Sequence, residues 1–442
     1  MTERSTLSPT VYGLPAQLGP LPAFRLIEQR FSVPAAVDAI AAVDSQWSAL
    51  PAALGRRPGS EIAVAVGSRG IARIDEIVRT VIENLKRAGH HPFIVPAMGS
   101  HGGGTAEGQA AVLASLGITE ELVGAPIRAS MDTVQVGAAE GVPLHVDRLA
   151  AAADGIVLIN RVKPHTDFAG PLGSGLMKML CVGLGKQLGA DTCHRATMIR
   201  DLGELVMACG RELLRILPVC AGVAVVENQV HEVCDVRVVP AEDIVSTDVR
   251  LQTEARGLLP GLPLDDIDLL IVDEMGKDVS GAGMDPNVTG RTVGARSIRR
   301  SRPRIGRIFA RALTPGSHGN ACGLGYIDIA TPRLVEAIDM EATALNAFTA
   351  CAPEDARLPL TVPTEREAIA AALATVRPHT LEDVRIVHIR NTSTVARLLV
   401  SEGCLAALAA GADVAVGEQR LLLDFDSQGD LISPLGGQDG AA

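Results

Sequence analysis

Three histidines of this chain stand beside glycine-rich or strand-end segments: His101 in MGSHGGGT, His165 in KPHTDFAGPLGSGLMK and His194 in DTCHRA. Lys178 lies between the last two, and Arg69 lies upstream of His101 in VAVGSRG. Imidazole has its unperturbed pKa near neutrality and is the commonest metal ligand, so this set suits proton transfer, metal ligation or both. Loops on a rigid scaffold carry function disproportionately often, which favours a site over a packing role for His101 and His165. His194, on its own, reads equally well as a helix-capping or surface residue.

The elements around these loops predict how they are positioned. EIAVAV (61–66) reads as a short buried strand, GSRG as a loop, and IDEIVRTVIENLKRAG as an amphipathic helix ending at Gly89. The theme repeats at once: PFIVPA is β-branched and apolar, GSHGGG is a loop, and Thr105 is the expected N-cap of AEGQAAVLASLG. A third strand, GIVLIN (155–160), runs into the long loop RVKPHTDFAGPLGSG and then the helical LMKMLCVGLG. Strands alternating with helices predict a parallel α/β sheet, whose ligand crevice lies at the carboxyl ends of the strands. Arg69, His101 and His165 all follow such ends.

After a helix around Met198 to Leu217, AGVAVVENQVHEVCDVRVVP reads as two antiparallel strands and AEDIVSTDVRLQTEARGLLP as a closing helix. PGLPLDD (260–266) reads as a linker. The strand IDLLIVDEM (267–275) then opens a second half that continues through the loop GKDVSGAGMDPNVTGR, GYIDIA, a helix around Thr331 to Asn346, the helix REAIAAALATV, the strand VRIVHIR and a hairpin at DSQGD. The expected fold is therefore two Rossmann-like α/β domains, 1–259 and 260–442, with the active site in the cleft between them. The last ~35 residues are candidates to pack back on the N-terminal domain, and the tail GGQDGAA reads as disordered. A run from Arg291 to Arg311, with Arg296, Arg299, Arg300, Arg302, Arg304 and Arg307 between, reads first as a solvated loop or subunit contact and second as a lid over an anion.

Bulk properties narrow the function. The 442 residues are 47% hydrophobic but only 2% aromatic, so the cores are aliphatic and stacking platforms for bases are not expected. A net charge of -11 opposes general binding to nucleic acid or anionic membrane. Eight cysteines without any C-x-x-C read as reduced core thiols, and the absence of a leader pattern or membrane-length apolar stretch leads to a cytoplasmic expectation.

Two nucleotide fingerprints fail. In FAGPLGSGLMK the lysine is followed by Met179, so a Walker A hydroxyl is missing, and GLGKQLG places its third glycine one position late for G-x-G-x-x-G. Gly173, Ser174 and Gly175 nevertheless precede a helix start, where backbone N–H groups and the helix dipole could receive a phosphate.

The order of these segments, an arginine loop, G-S-H, the P-H loop with its glycine turn and Lys178, and a histidine sixteen residues after that lysine, resembles the nickel-pincer nucleotide-dependent lactate racemase family over about residues 61–200. The resemblance implies an isomerase that racemises or epimerises a 2-hydroxy acid by hydride transfer to and from nickel pyridinium-3,5-bisthiocarboxylic acid mononucleotide. It implies His101 and His165 as the general acid and base, Arg69 as the clamp on the substrate carboxylate, His194 as the metal ligand, and Lys178 as the cofactor tether, with Gly173, Ser174 and Gly175 as cofactor contacts. Maturation enzymes for the cofactor are implied partners; a homo-oligomer is left open.

The departures are informative. The His165 to Lys178 spacing is three residues longer than the family's usual turn, which leaves the covalent tether open. The family's acidic residue before the arginine is absent, and its C-terminal glutamine and lysine have no counterpart beyond Lys277, Asn287 and Arg291; Lys277 is the substrate-binding candidate. These gaps imply a 2-hydroxy acid other than lactate. Two other readings stay open: an oxidoreductase releasing the keto acid with the same or a nicotinamide-type cofactor, and a non-catalytic nucleotide- or metal-binding protein.

Overall fold

The computed structural model describes residues 19–31, 33–50, 54–68, 70–165, 171–291, 293, 303–377, 379–408 and 413–436. The chain forms two compact units, one of residues 33–259 and one of residues up to 32 together with those from 260. The first strand, Phe24–Gln29 (β1), belongs to the second of these.

In the unit of 33–259, Ala39–Trp47 (α1) precedes Glu61–Val66 (β2), Ile74–Arg87 (α2), His91–Pro96 (β3), Ala106–Ser115 (α3) and Glu120–Val123 (α4). A two-stranded ribbon, Thr133–Ala139 (β4) with Val142–Asp147 (β5), leads through Arg148–Ala152 (α5) to Gly155–Arg161 (β6). Leu176–Lys178 (α6), a widened π-turn over Met179–Gly183, Lys186–Ala196 (α7) and Leu202–Ile216 (α8) follow. Val219–Glu227 (β7), Val233–Pro240 (β8) and Ile244–Gly257 (α9) close the unit.

The sheet order is β3-β2-β6-β7-β8, parallel except for the last pair. Both faces are covered, which is why its strands read as continuous apolar runs. In β2 the period of two sends Ala63 and Ala65 to the core beneath α6 to α9, and Ile62, Val64 and Val66 to the core beneath α1 and α2. The order reverses between β2 and β6, so the chains leaving these neighbours diverge to opposite faces and open a crevice at their carboxyl ends.

The second unit carries an eight-stranded sheet. Its strands are β1, Asp266–Met275 (β9), Arg304–Leu313 (β10), Ile329–Ala330 (β11), Leu360–Thr361 (β12), Ile386–Ile389 (β13), Arg397–Ser401 (β14) and Val414–Val416 (β15), in the order β12-β11-β10-β9-β13-β14-β1-β15. The strands from β12 to β13 are parallel, and the remaining pairs are antiparallel. The hairpin at DSQGD is Asp424–Phe425 with Leu431–Ile432, and Leu431 is buried in this unit's core. The protein is thus mixed α/β.

Several expectations change. The boundary falls at 259/260, but residues of β1 leave the N-terminal portion and pair with β14, because its alternating FRLIEQ completes an open edge of the second sheet. The segment from 413 is packed within the second unit, with β15 on β1 and Leu421 bridging Phe24. The helix expected around Thr331 to Asn346 is two helices, Pro332–Val335 and Met340–Thr349, the second started by an Asp339 N-cap.

The largest change concerns the basic run. Residues 304–313 are the interior strand β10, not a wet loop, and each described arginine has a built partner: Arg291 with Asp328, Arg304 with Asp266, Arg307 with Thr375, and buried Arg311 with Asp273 and Glu365. Arg296, Arg299, Arg300 and Arg302 lie outside the described residues, as does the tail from 437. The eight cysteines are free thiols, six of them buried. No helix among the described residues is long and apolar enough to cross a membrane.

Candidate functional site

The loops of Ser68, His101 and His165 leave three adjacent parallel strands at one edge, since Val66 is level with both Pro96 and Ile159. Ser68 Oγ meets His101 Nδ1 in a hydrogen bond, so the first two loops converge through a functional side chain. Arg69, the next residue after Ser68, lies outside the described residues. His101 is exposed, while His165, Lys178 and His194 are half-buried.

The His101 loop is fixed by backbone packing. Gly102, Gly103 and Gly104 all have positive φ, and at Gly102 an added Cβ would lie 2.6 Å from the Gln109 amide, so only glycine closes this turn. Thr105 then caps α3 through Gly108 N–H at 3.0 Å, as expected. Gly99 N–H donates to Gly183 O at 3.0 Å, and Cβ positions at Gly99 and Gly104 would touch Ala190 and Gln187. The His101 loop therefore rests on the helical segment that also carries Lys178 and His194.

His165 sits inside a loop pinched at its neck. Lys163 and Ser174 exchange backbone hydrogen bonds at 3.0 and 2.8 Å. Residues 166–170 of the loop are outside the described set.

Gly173 and Gly175 have a different task from the expected phosphate cradle. A Cβ at Gly173 would stand 2.6 Å from His165 N and 2.7 Å from Lys163 O, and one at Gly175 would stand 2.5 Å from Asp248 Oδ1. The N–H groups of Leu176 and Met177 donate to the Asp248 carboxylate at 3.1 and 2.8 Å. A fixed internal anion thus takes the helix start, and the glycines make room for it and for the His165 backbone. Burial pushes Asp248 up to about 6 against the pull of those two N–H groups.

Lys178, in α6, and His194, in α7, lie on consecutive helical segments joined by the π-turn. Cys193 next to His194 has its thiol pKa lowered by a hydrogen bond with Cys181 and, against the effect of burial, by the Lys178 charge. Among the described residues no three His, Cys, Asp or Glu side chains gather as a metal site.

In the second unit, Lys277 follows β9; its amide donates to Ser317 Oγ at 2.9 Å and its Nζ to Gly281 O at 2.5 Å. Sequence reasoning missed Ser68, Gln109, Lys186 and Asp248. Ser68 stands in GSRG, and Lys186 stands in GLGKQLG, where the failed nucleotide fingerprint gives its lysine no role.

Comparison with known proteins addresses the first of the two units. Residues 48–204 match the family model described as the lactate racemase N-terminal domain. No curated protein matches the chain. Among solved structures, a protein from Thermotoga maritima is 14% identical, with 74% of this chain and 90% of that chain covered and a TM-score of 0.45. The lactate racemase apoprotein from Thermoanaerobacterium thermosaccharolyticum is 11% identical, with 82% and 84% covered and a TM-score of 0.46. The segment that carries Ser68, His101, His165, Lys178 and His194 is thus similar to a lactate racemase N-terminal domain.

Proposed function

We propose that this protein is an isomerase that racemises or epimerises a 2-hydroxy acid, with a nickel-pincer nucleotide as cofactor. The observation that carries the reading is His101, held through Nδ1 by Ser68 at the strand-end crevice inside the segment similar to the lactate racemase domain. The donor set fits the metal end of such a cofactor: half-buried His194 would be its nitrogen ligand, and half-buried Lys178 stands on the helical segment before it. The glycine turn does not fit its phosphate, because Asp248 takes the N–H groups. When bound, the cofactor supplies a hydride acceptor and donor, which avoids a carbanion beside the substrate carboxylate.

The chain's own groups handle the rest. With Nδ1 engaged by Ser68, proton transfer at His101 is assigned to Nε2, which removes the hydroxyl proton from one enantiomer. His165, from the loop after β6 on the other side of β2, serves the other. Arg69 grips the carboxylate bidentately while the keto acid turns over. Lys178 would hold the cofactor, with a covalent tether left open by the longer loop, and His194 would ligate the metal. Lys277 is kept as a further substrate-binding candidate.

The test is to mature the protein with the cofactor's biosynthetic enzymes and assay a panel of 2-hydroxy acids by chiral chromatography. Interconversion of enantiomers without net keto acid is expected, with nickel lost in His194→Ala. His101→Ala and His165→Ala should retain nickel and lose racemisation. Full activity in either histidine variant would reject the pair, and stoichiometric accumulation of keto acid would make the protein an oxidoreductase.

A further inference from the structure

Lys186 opens α7 with no exposed surface, and its φ of 54° lies in the left-handed region, which costs a non-glycine residue about 1–2 kcal/mol. A charged side chain buried completely in a strained position calls for a task. Its Nζ donates to Pro96 O at 2.5 Å and to Gln109 Oε1 at 3.1 Å, and pairs with fully buried Asp147 at 3.2 Å. Gln109, also fully buried, turns its Nε2 to Gly99 O at 2.8 Å and His101 O at 3.4 Å. Asp147 in turn caps α5 through the Leu149 and Ala150 amides.

We propose that Lys186 is a positioning residue for His101: through Gln109 and the end of β3, its buried ammonium sets where the His101 loop stands over the sheet edge. The assignment rests on the reading of His101 as an acid/base. The start and the middle of the loop are tied to one cation, Pro96 directly and the carbonyls of Gly99 and His101 through one amide. Buried ion pairs are seldom retained for stability alone, since burial offsets most of their attraction. A rigid strut under a group that must meet a substrate hydroxyl within hydrogen-bond reach gives this one a reason.

Two variants of the full chain test it. Gln109→Met removes the strut and keeps the ion pair; Lys186→Met with Asp147→Leu removes the ion pair and leaves no unpaired buried charge. In histidine-labelled protein, the ring signals of His101, assigned by their loss in His101→Gln, are followed by NMR through neutral pH. Both variants should shift the His101 signals and titration midpoint, while those of buried His388 in the second unit stay in place. In the loaded enzyme kcat should fall about tenfold or more with KM little changed. Unchanged His101 signals and titration in Gln109→Met would overturn the proposal, and this variant decides alone if the double variant does not fold. Shifted signals in the variants, together with a wild-type protein that racemises nothing, would uphold the strut and reject the racemase reading.

Discussion

The Asp248 carboxylate accepts the Met177 amide at 2.8 Å from the middle of α9, closing the helix start that leads to Lys178. Burial pushes Asp248 up to about 6 from an ordinary 3.8. A raised folded pKa means that the native state binds this proton more tightly than the unfolded chain. Its contribution to stability is complete below about pH 4 and is lost as pH rises through about 6, by roughly 3 kcal/mol at 1.36 kcal/mol per unit. Asp248→Asn should therefore flatten the stability profile of this unit across that window. Trp47, the single tryptophan, is buried in α1 of the same unit and reports its unfolding in urea. Parallel profiles for the two proteins would reject the assignment.

Substitution of the glycine turn separates packing from phosphate binding. Gly173→Ala drives a Cβ into the backbone of His165 and Lys163, neither of which can yield as a side chain end can. A loss of about 1–3 kcal/mol is expected, typical of overpacking, with Trp47 fluorescence as the readout. A role confined to a ligand phosphate would leave the stability of the unliganded protein unchanged and weaken only nucleotide binding.

The strands of the first unit were legible because a sheet covered on both faces makes apolar runs such as EIAVAV and GIVLIN unambiguous. β10 was not. In RIGRIFARAL the arginines at 304, 307 and 311 outweigh the apolar pattern unless their partners, Asp266, Thr375 and the Asp273–Glu365 pair, are known, and those lie 38 to 68 residues away in sequence. β1 was hidden for a similar reason: its pairing partner β14 begins at Arg397. At the site, residues with chemical character in glycine loops could be picked out. Ser68 and Asp248, whose value lies in what they touch, could not.

Ser68→Ala removes the partner of His101 Nδ1 without disturbing the strand end that precedes it. An unanchored imidazole samples more orientations and tautomers, so kcat should fall about tenfold while the carboxylate clamp holds KM within about twofold. Kinetics of racemisation in both directions check this, because the enantiomer that uses His101 as base should suffer at a different step from the one that uses His165. Equal rates for Ser68→Ala and wild type in both directions would remove Ser68 from the site.

Arg311 offers the sharpest contrast with the solvated-run expectation. Its guanidinium donates to Glu365 at 2.6 Å, to Asp273 at 2.5 Å and to the Leu431 carbonyl, joining β9, β10, the helix Glu365–Ala374 and the C-terminal hairpin. Arg311→Met would take the close guanidinium from fully buried Glu365, for which a loss of about 3–5 kcal/mol is expected, while half-buried Asp273 keeps His388 and Ser433. Arg307, half-buried and joined to Thr375 by a hydrogen bond at the surface, should change stability by no more than about 0.5 kcal/mol when replaced by Met. Hydrogen exchange read by mass spectrometry on peptides spanning 304–313 and 424–432 distinguishes them. Faster exchange in both peptides for Arg311→Met, against a wild-type pattern for Arg307→Met, is the expected result; equal patterns would return this run to the role of a wet surface.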